Sequence, residues 1–191
     1  MRVIEQGVGR RTVIETYAEY DCSKKHGPLP NFEDWDWSSA DALDSELCCA
    51  GLKCGVLAAY LLWDKVELTL SDLRDCAVLA GVFQQQSLEL IEQAGCLVGW
   101  TPRGVTTWYA RICEGEALDE TEPLILRPAL PSESPADFYV EDGSGRAVAL
   151  LQNQARFAPA QSLAIAFLGR QRDRGSTFGR RKLWGNQLIA G

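Results

Sequence analysis

The sequence predicts a mixed α/β (α+β) protein of 191 residues in a single domain. Apolar residues recur at helical spacing from Ala40 to Trp63, and a second such pattern starts near Ser71. Segments rich in β-branched and aromatic residues follow between residues 96 and 127. The last third then reads as strand, turn, helix and strand, which completes the mixed pattern.

The first 120 residues are expected to be rich in helix. Residues 1–20 supply one strand, with a short helix over 13–20 as the alternative reading. Residues 21–39 are predicted to be a loop, because two prolines and a glycine interrupt both regular structures there. Ser38 or Ser39 caps the helix over 40–63.

Further elements follow from the same patterns. A second helix is expected from an N-cap at Ser71 toward Gly95, where glycine is a stop signal. The remaining predictions are a hairpin of Cys96–Trp100 and Val105–Ile112, strands at Leu124–Arg127 and Phe138–Val140, a helix from about Arg146 to about Ala155, and a buried strand at Leu163–Leu168 that Gly169 ends.

Charge is distributed unevenly along the chain. Residues 1–142 carry 11 basic and 25 acidic side chains, whereas residues 143–191 carry eight basic ones and a single acid, Asp173. This asymmetry suggests a polyanionic or acidic partner. We expect 170–191 to be a flexible basic tail that contacts DNA phosphates, or else a solvated tail that pairs with the acidic body. The candidate DNA-binding residues are Arg170, Arg172, Arg174, Arg180, Arg181 and Lys182.

Seven cysteines and no apolar leader favour reduced thiols that act as small buried hydrophobes. We expect no structural zinc, because Cys-x₂-Cys pairs are lacking and His26 is the only histidine. The apolar run 56–63 is too short to cross a bilayer, so we expect no transmembrane segment.

Residues 32–37 combine aromatic and acidic side chains in a predicted loop. Two interpretations stay open at this stage. The segment is a docking site for a partner, or its aromatic side chains pin the loop to the core.

The turn between Phe138 and Leu151 places chemistry-bearing residues at one strand–helix junction. Glu141 and Asp142 end the strand, Gly143, Ser144 and Gly145 begin the helix, and Arg146 lies in its first turn. A helix N-terminus with glycines favours an anion, and arginine adds a phosphate donor. The two carboxylates are candidates to hold Mg²⁺ or steer a water. The alternative is a purely structural turn with Asp142 or Ser144 as a cap.

These residues resemble the signature of the ParB/sulfiredoxin superfamily, in which a strand precedes Asp-Gly-x-x-Arg at the start of a helix. Asp142, Gly143 and Arg146 match it. Gly145 replaces the histidine that often precedes the arginine, and the reactive cysteine of sulfiredoxins is missing, so sulfinic-acid reduction is not expected. The resemblance implies a ParB/sulfiredoxin-like region over 121–169 with additional N-terminal helices.

The chain as a whole resembles the oncogenic suppression proteins of conjugative plasmids, which are fertility inhibitors. That resemblance implies ATPase and DNase activity that blocks transfer of T-DNA or a competing plasmid through a type IV secretion system. It further implies DNA, ATP and the secretion coupling protein as partners, and a bacterial cytoplasmic location or a peripheral one at the inner membrane. Glu141, Asp142 and Arg146 would then be catalytic, and 143–145 would bind phosphate, with Mg²⁺ as a candidate cofactor.

Two other functions remain open. One is a non-catalytic inhibitor that binds DNA or a secretion component and blocks it sterically. The other is a transcriptional regulator, although the Leu70–Ser71 region lacks the tight turn of a helix-turn-helix motif.

Overall fold

The computed structural model describes residues 1–75, 77–79, 111–118, 121–130 and 136–176. The chain forms two compact units. The first unit comprises Met1–Gly7 and Asp64–Gly169, and the second comprises Val8–Trp63 and Arg170–Gly191.

The elements are bounded as follows. The strands are β1 (Arg2–Gly9), β2 (Tyr60–Leu68), β3 (Ala77–Leu79), β4 (Leu124–Pro128), β5 (Phe138–Asp142) and β6 (Ala164–Arg172). The helices are α1 (Arg10–Lys25), α2 (Ala40–Cys49), α3 (Val56–Ala59), α4 (Leu70–Asp75) and α5 (Ser144–Gln152), with 3₁₀ turns at Phe32–Asp34 and Gln154–Arg156.

Within the described residues, the strands form one six-stranded sheet in the order β1-β2-β6-β4-β5-β3. Strand β4 runs antiparallel to β5 and parallel to β6, and β3 runs parallel to β5. Mixed pairing of this kind, with helices between the strands, confirms the mixed α/β class.

Helix α5 is central to the core of the first unit. Its residues 147–151 are buried on every side, which fits their continuous apolar sequence. The core also contains the apolar face of α4 and alternate residues of β4 and β5, such as Leu126 opposite Val140. Burial of this face positions the strand–helix junction at 141–146 on a fixed support.

The second unit packs α1 and α2 against the short helix α3, around buried residues such as Ile14, Leu43 and Leu57. Asp173 ties the C-terminal segment into this unit. Its carboxylate accepts from Arg10 at 2.9 Å, and its backbone N–H donates to Ala59 at 2.8 Å. The single acid of residues 143–191 therefore has a structural partner.

The predicted continuous helix over 40–63 is wrong. Helix α2 ends at Cys49, and Gly51 takes a left-handed φ of +69°. The Leu52 N–H bonds the Leu47 carbonyl at 2.9 Å, and the Gly51 N–H bonds the Cys48 carbonyl at 3.1 Å, which is a Schellman C-cap. The separate short helix α3 follows, and the apolar residues from Tyr60 onward form β2.

The predicted helix from Ser71 toward Gly95 is also wrong in its described part. Helix α4 ends at Asp75, and Ala77–Leu79 is a strand. Its N-cap is Thr69 rather than Ser71, since the Leu73 N–H bonds the Thr69 carbonyl at 3.2 Å. Of the predicted hairpin, residues 111–112 are helical rather than extended, and the rest lies outside the described residues.

Other predictions are confirmed with shifted bounds. Ser39 caps α2, because its hydroxyl accepts from the Ala42 N–H at 3.1 Å. Strands β4 and β5 and helix α5 lie where expected, with β5 extending to Asp142 and α5 opening at Ser144. Strand β6 does not end at Gly169 but continues to Arg172.

The N-terminal predictions also shift. Residues 2–9 form the expected strand, and the helical alternative for 13–20 is confirmed as part of α1. Helix α1 reaches Lys25, so the predicted loop begins later than residue 21. Among the described residues, no helix has the length and apolar character needed to cross a membrane.

The environment of Asp72 predicts that the stability of the fold decreases at acidic pH. Its carboxylate accepts from the Thr69 N–H and hydroxyl, both at 2.8 Å, and from the terminal ammonium of Met1. Burial by itself raises the pKa of Asp72, but these donors outweigh it, so the pKa lies below its ordinary value of 3.8. Asp72 therefore stabilises the fold above pH 4 and loses that effect as pH falls through its folded pKa.

We expect Asp72→Asn to lower the free energy of unfolding at pH 7 by about 1 kcal/mol, the usual contribution of hydrogen bonds between a first-turn side chain and the N-cap residue. Urea denaturation at pH 7 and pH 3 checks this. The difference between variant and wild type should shrink at the lower pH, and an equal penalty at both would contradict it.

Candidate functional site

A β-bulge lies where β5 meets α5. Ile125 pairs with Asp142 and Leu126 pairs with Val140, so Glu141 is an extra residue in β5. Bulges bend a strand and redirect its side chains, and they are frequent beside functional sites. The sequence pattern placed the strand end before this residue and gave no sign of the bulge.

Gly143 makes the turn from β5 into α5. It has a φ of +89°, a left-handed conformation that other residues adopt at a cost. A Cβ at this position would lie 2.3 Å from Leu124 Cδ2 and 2.9 Å from a guanidinium nitrogen of Arg146. The helix start can approach β4 this closely only because residue 143 has no side chain.

Glu141 forms a buried ion pair with Arg127. The Arg127 Nε donates to Glu141 Oε1 at 2.7 Å, and the two side chains are only 9% and 6% exposed. The Arg127 guanidinium also lies 3.9 Å from the ring centroid of Tyr139, a cation–π distance, and bonds the Pro128 carbonyl at 3.0 Å. The expected catalytic acid is thus bound within the fold by a residue that the sequence analysis did not select.

Arg146 points into the protein, with a side chain only 3% exposed. One guanidinium nitrogen contacts Asp142 Oδ2 at 3.2 Å, and another donates to the backbone carbonyl of Glu122. The Glu122 side chain in turn accepts from Arg111 at 3.0 Å. Arg146 and Asp142 are therefore brought together as predicted, but the arginine serves internal acceptors.

Asp142 is the most exposed of the three predicted catalytic side chains, at 30%. It lies next to the first turn of α5, where Ser144 and Gly145 are half-buried. The Ser144 hydroxyl contacts the Val140 carbonyl at 3.4 Å, and the helical bonds begin with the Ala147 N–H on the Gly143 carbonyl at 3.0 Å. The positive end of a helix dipole at this turn favours negative charge, from Asp142 or from a bound anion.

The two members of the predicted Mg²⁺ pair have different partners and different burial. Glu141 is engaged with Arg127, which leaves Asp142 as the available member of the pair. Mg²⁺ is often bound through one or two carboxylates, with water and substrate phosphates as the other ligands. These residues therefore fit Mg²⁺ only if Asp142 is the single carboxylate ligand and a substrate completes the site.

Three of the six predicted DNA-binding residues lie in the described part of the chain. Arg170 and Arg172 are exposed at the end of β6, two residues apart and so on the same side of the strand. Arg174 is exposed in the turn that follows. Arg180, Arg181 and Lys182 lie outside the described residues.

Aromatic stacking orders the acidic segment 32–37. The rings of Phe32 and Trp35 are 4.9 Å apart, and those of Trp35 and Trp37 are 5.9 Å apart. Arg11 of α1 lies 5.4 Å from the Trp37 ring and bonds Glu33 at 2.7 Å. These contacts order the segment and join it to α1, and all three rings are half-buried.

A second cluster of reactive groups lies in the second unit. Asp44, Cys48 and Cys54 each offer a metal-ligating atom, and these atoms all lie within 4.8 Å of one another. A hydrogen bond with Cys54, desolvation and the negative charges of Cys54, Asp44 and Cys49 raise the pKa of Cys48 from 9.0 to about 11.

The cluster was missed because the sequence predicted an unbroken helix, in which residues 48 and 54 would not share a face. The signal that could have revealed it was Gly51 followed by Leu52, a helix-stop pattern. Cys48 and Cys49 are exposed, which corrects the expectation of buried cysteines at those positions. Cys22, Cys54 and Cys113 are half-buried, and Cys76 and Cys96 lie outside the described residues.

Comparison with known protein families gave no match, and neither did comparison with curated protein sequences or with solved structures.

Gly143 provides a stability test of the turn. We expect Gly143→Ala to lower the free energy of unfolding by more than about 2 kcal/mol, since left-handed strain and the clash with Leu124 add. Gly7→Ala is the matched control, because Gly7 has a φ of +73° but open space around its Cα. It should lose only about 1 kcal/mol. Urea denaturation measures both, and equal losses would contradict the close approach at 143.

Proposed function

We propose that this chain is a plasmid fertility inhibitor that hydrolyses phosphoanhydride and phosphodiester bonds, acting on ATP and on DNA at the 141–146 turn of a ParB/sulfiredoxin-like fold. In this role it stops transfer of T-DNA or a competing plasmid through a type IV secretion system, at the coupling protein. The order β4, β5, turn and α5 in the first unit supports the proposal.

The observation that carries the proposal is the exposure of Asp142 beside a helix N-terminus and a left-handed glycine. A phosphate ester needs an acid to orient water or a metal, and donors to neutralise its charge. Asp142 supplies the acid, and the first turn of α5 supplies backbone donors and the helix dipole. Mg²⁺ held by Asp142 would neutralise charge on the phosphate oxygens.

The other two predicted catalytic residues take different roles in this proposal. Glu141 and Arg146 act as positioning residues, because both are buried and bonded to groups of the protein. Arg146 keeps the carboxylate of Asp142 in place from its inner side. Replacing either residue is expected to destabilise the fold, because removing one partner of a buried pair costs about 3–5 kcal/mol. Lost activity in such a variant would reflect lost stability before it reflected lost chemistry.

A second candidate is the non-catalytic inhibitor, which binds DNA and blocks its passage. The exposed arginines at the end of β6 and in the following turn favour it. Cations on one side of a strand can contact a DNA backbone without any reactive group.

The test is nicking of supercoiled plasmid and hydrolysis of ATP, each with and without Mg²⁺. We expect Asp142→Asn to lower both rates about 100-fold, the usual scale for loss of a general acid–base group. Asp137→Asn is the matched control, an exposed aspartate just before β5, and should keep full rates. DNA affinity should be unchanged in both variants.

The double variant Arg170→Gln/Arg172→Gln separates the two candidates. The non-catalytic inhibitor is favoured if the wild type shows no turnover and the double variant binds DNA more weakly. The salt slope of DNA binding should then be smaller by about 2 in the double variant than in the wild type. Turnover that survives Asp142→Asn would remove the proposed site. A conjugation assay with Asp142→Asn then shows whether inhibition of transfer needs the chemistry.

A further inference from the structure

We propose that Asp44, Cys48 and Cys54 form a binding site for one thiophilic divalent cation of the Zn²⁺ type in the second unit. The inference is independent of the 141–146 turn. It concerns residues that the proposed hydrolase activity does not use.

The donor set suits a thiophilic divalent cation. Two cysteine thiolates and one carboxylate are ligands that Zn²⁺ accepts, and thiolates select against Mg²⁺ and Ca²⁺. A zinc-bound pair of sulfurs at a bond length of about 2.3 Å would lie about 3.8 Å apart. The three ligand atoms already lie within 4.8 Å of one another, so a small movement of side chains closes the site.

The backbone fixes this convergence of the three ligand atoms. Asp44 and Cys48 are four residues apart on α2 and share a face. The Schellman cap at Gly51 turns the chain back, and Gly55 with a φ of +78° redirects it into α3. Cys54 is held opposite α2 as a result.

The carboxylate of Asp44 is held in a fixed orientation. One oxygen of Asp44 accepts a hydrogen bond from the Gly55 N–H. Such a second bond fixes the direction of a ligating carboxylate, as outer-shell partners do at known metal sites. The same bond ties the residue after Cys54 to the helix that carries the other two ligands.

The expected coordination is three protein ligands and one water. Cys48 is exposed and the other two residues are half-buried, so solvent reaches the fourth tetrahedral position. Binding replaces the two thiol protons, which pass to solvent, and joins α2 to the loop at 50–55. This proposal reverses the expectation of no structural zinc, which was based on the lack of Cys-x₂-Cys pairs and on the single histidine.

The test is titration of the reduced full-length protein with Co²⁺, followed by displacement with Zn²⁺, in the presence of a phosphine reductant. We expect one Co²⁺ per chain, with tetrahedral d–d bands and a thiolate-to-cobalt charge-transfer band that Zn²⁺ abolishes. Thiol titration before the experiment verifies that Cys48 and Cys54 are not joined in a disulfide.

Cys48→Ser and Cys54→Ser should each weaken binding at least 100-fold, because loss of an outer-shell partner alone costs about 10–100-fold. Asp44→Asn should weaken it at least about 10-fold and leave the charge-transfer band in place. Cys49→Ser is the matched control, an exposed cysteine next to the site, and should bind normally. Reduced protein without a tetrahedral cobalt spectrum, or an equal loss in Cys49→Ser, would overturn the proposal.

Zn²⁺ should also raise the thermal midpoint of the wild type and of Asp142→Asn alike, and leave that of Cys54→Ser unchanged. Stabilisation of Cys54→Ser by Zn²⁺ would place the metal elsewhere in the chain and overturn the assignment. Failure here leaves the proposed hydrolase untouched, because the two sites share no residue.

Discussion

The buried ion pair between Arg127 and Glu141 constrains the whole strand–helix junction. Two charges removed from water are tolerated only when each has partners at good geometry, and Arg127 meets this condition with Glu141, the Tyr139 ring and the Pro128 carbonyl. The bulge at Glu141 is the local deformation in β5 that accompanies this pairing. The direction of the end of β5 is thereby fixed. This in turn fixes the positions of Asp142, Gly143 and α5.

A second arginine continues the same arrangement. Arg146 is almost fully buried and joins Asp142 to the backbone at Glu122, whose side chain contacts Arg111. Glu122, just before β4, is thereby connected to the first turn of α5. An acidic residue and an arginine near a helix start do not by themselves indicate an open anion site. Here Asp142 and Arg146 form an ion pair and largely neutralise each other. The exposed face of Asp142 is what remains for chemistry, and this is why the proposed function depends on that residue.

Sequence patterns predicted the elements whose signals are local. Leu124–Pro128, the junction at Gly143 and the Ser39 cap depend on residues adjacent in the chain, and the structure has them near the expected positions. The pattern failed where periodicity was ambiguous. Residues 60–63 are apolar at a spacing that suits a helix or a buried strand, and the structure ends α3 at Ala59 and begins β2 at Tyr60.

Contacts between residues far apart in the sequence could not be predicted from local patterns. Arg127 appeared as one charge at the end of an apolar strand, and nothing adjacent in sequence indicated Glu141 as its partner 14 residues later. Cys54 reaches Asp44 and Cys48 only because the loop after α2 folds back. The approach of Leu124 to Gly143 is likewise a tertiary contact, invisible in the turn itself.

A double-mutant cycle on Arg127 and Glu141 tests the central claim most directly, with the free energy of unfolding as the measured quantity. Arg127→Met and Glu141→Leu should each lower it by about 3–5 kcal/mol, because each leaves a buried charge without its partner. The double variant should recover most of that loss, since two apolar side chains of similar volume replace the pair. Losses that add to within about 0.5 kcal/mol would show that the two residues do not act together, and would contradict the account of the junction.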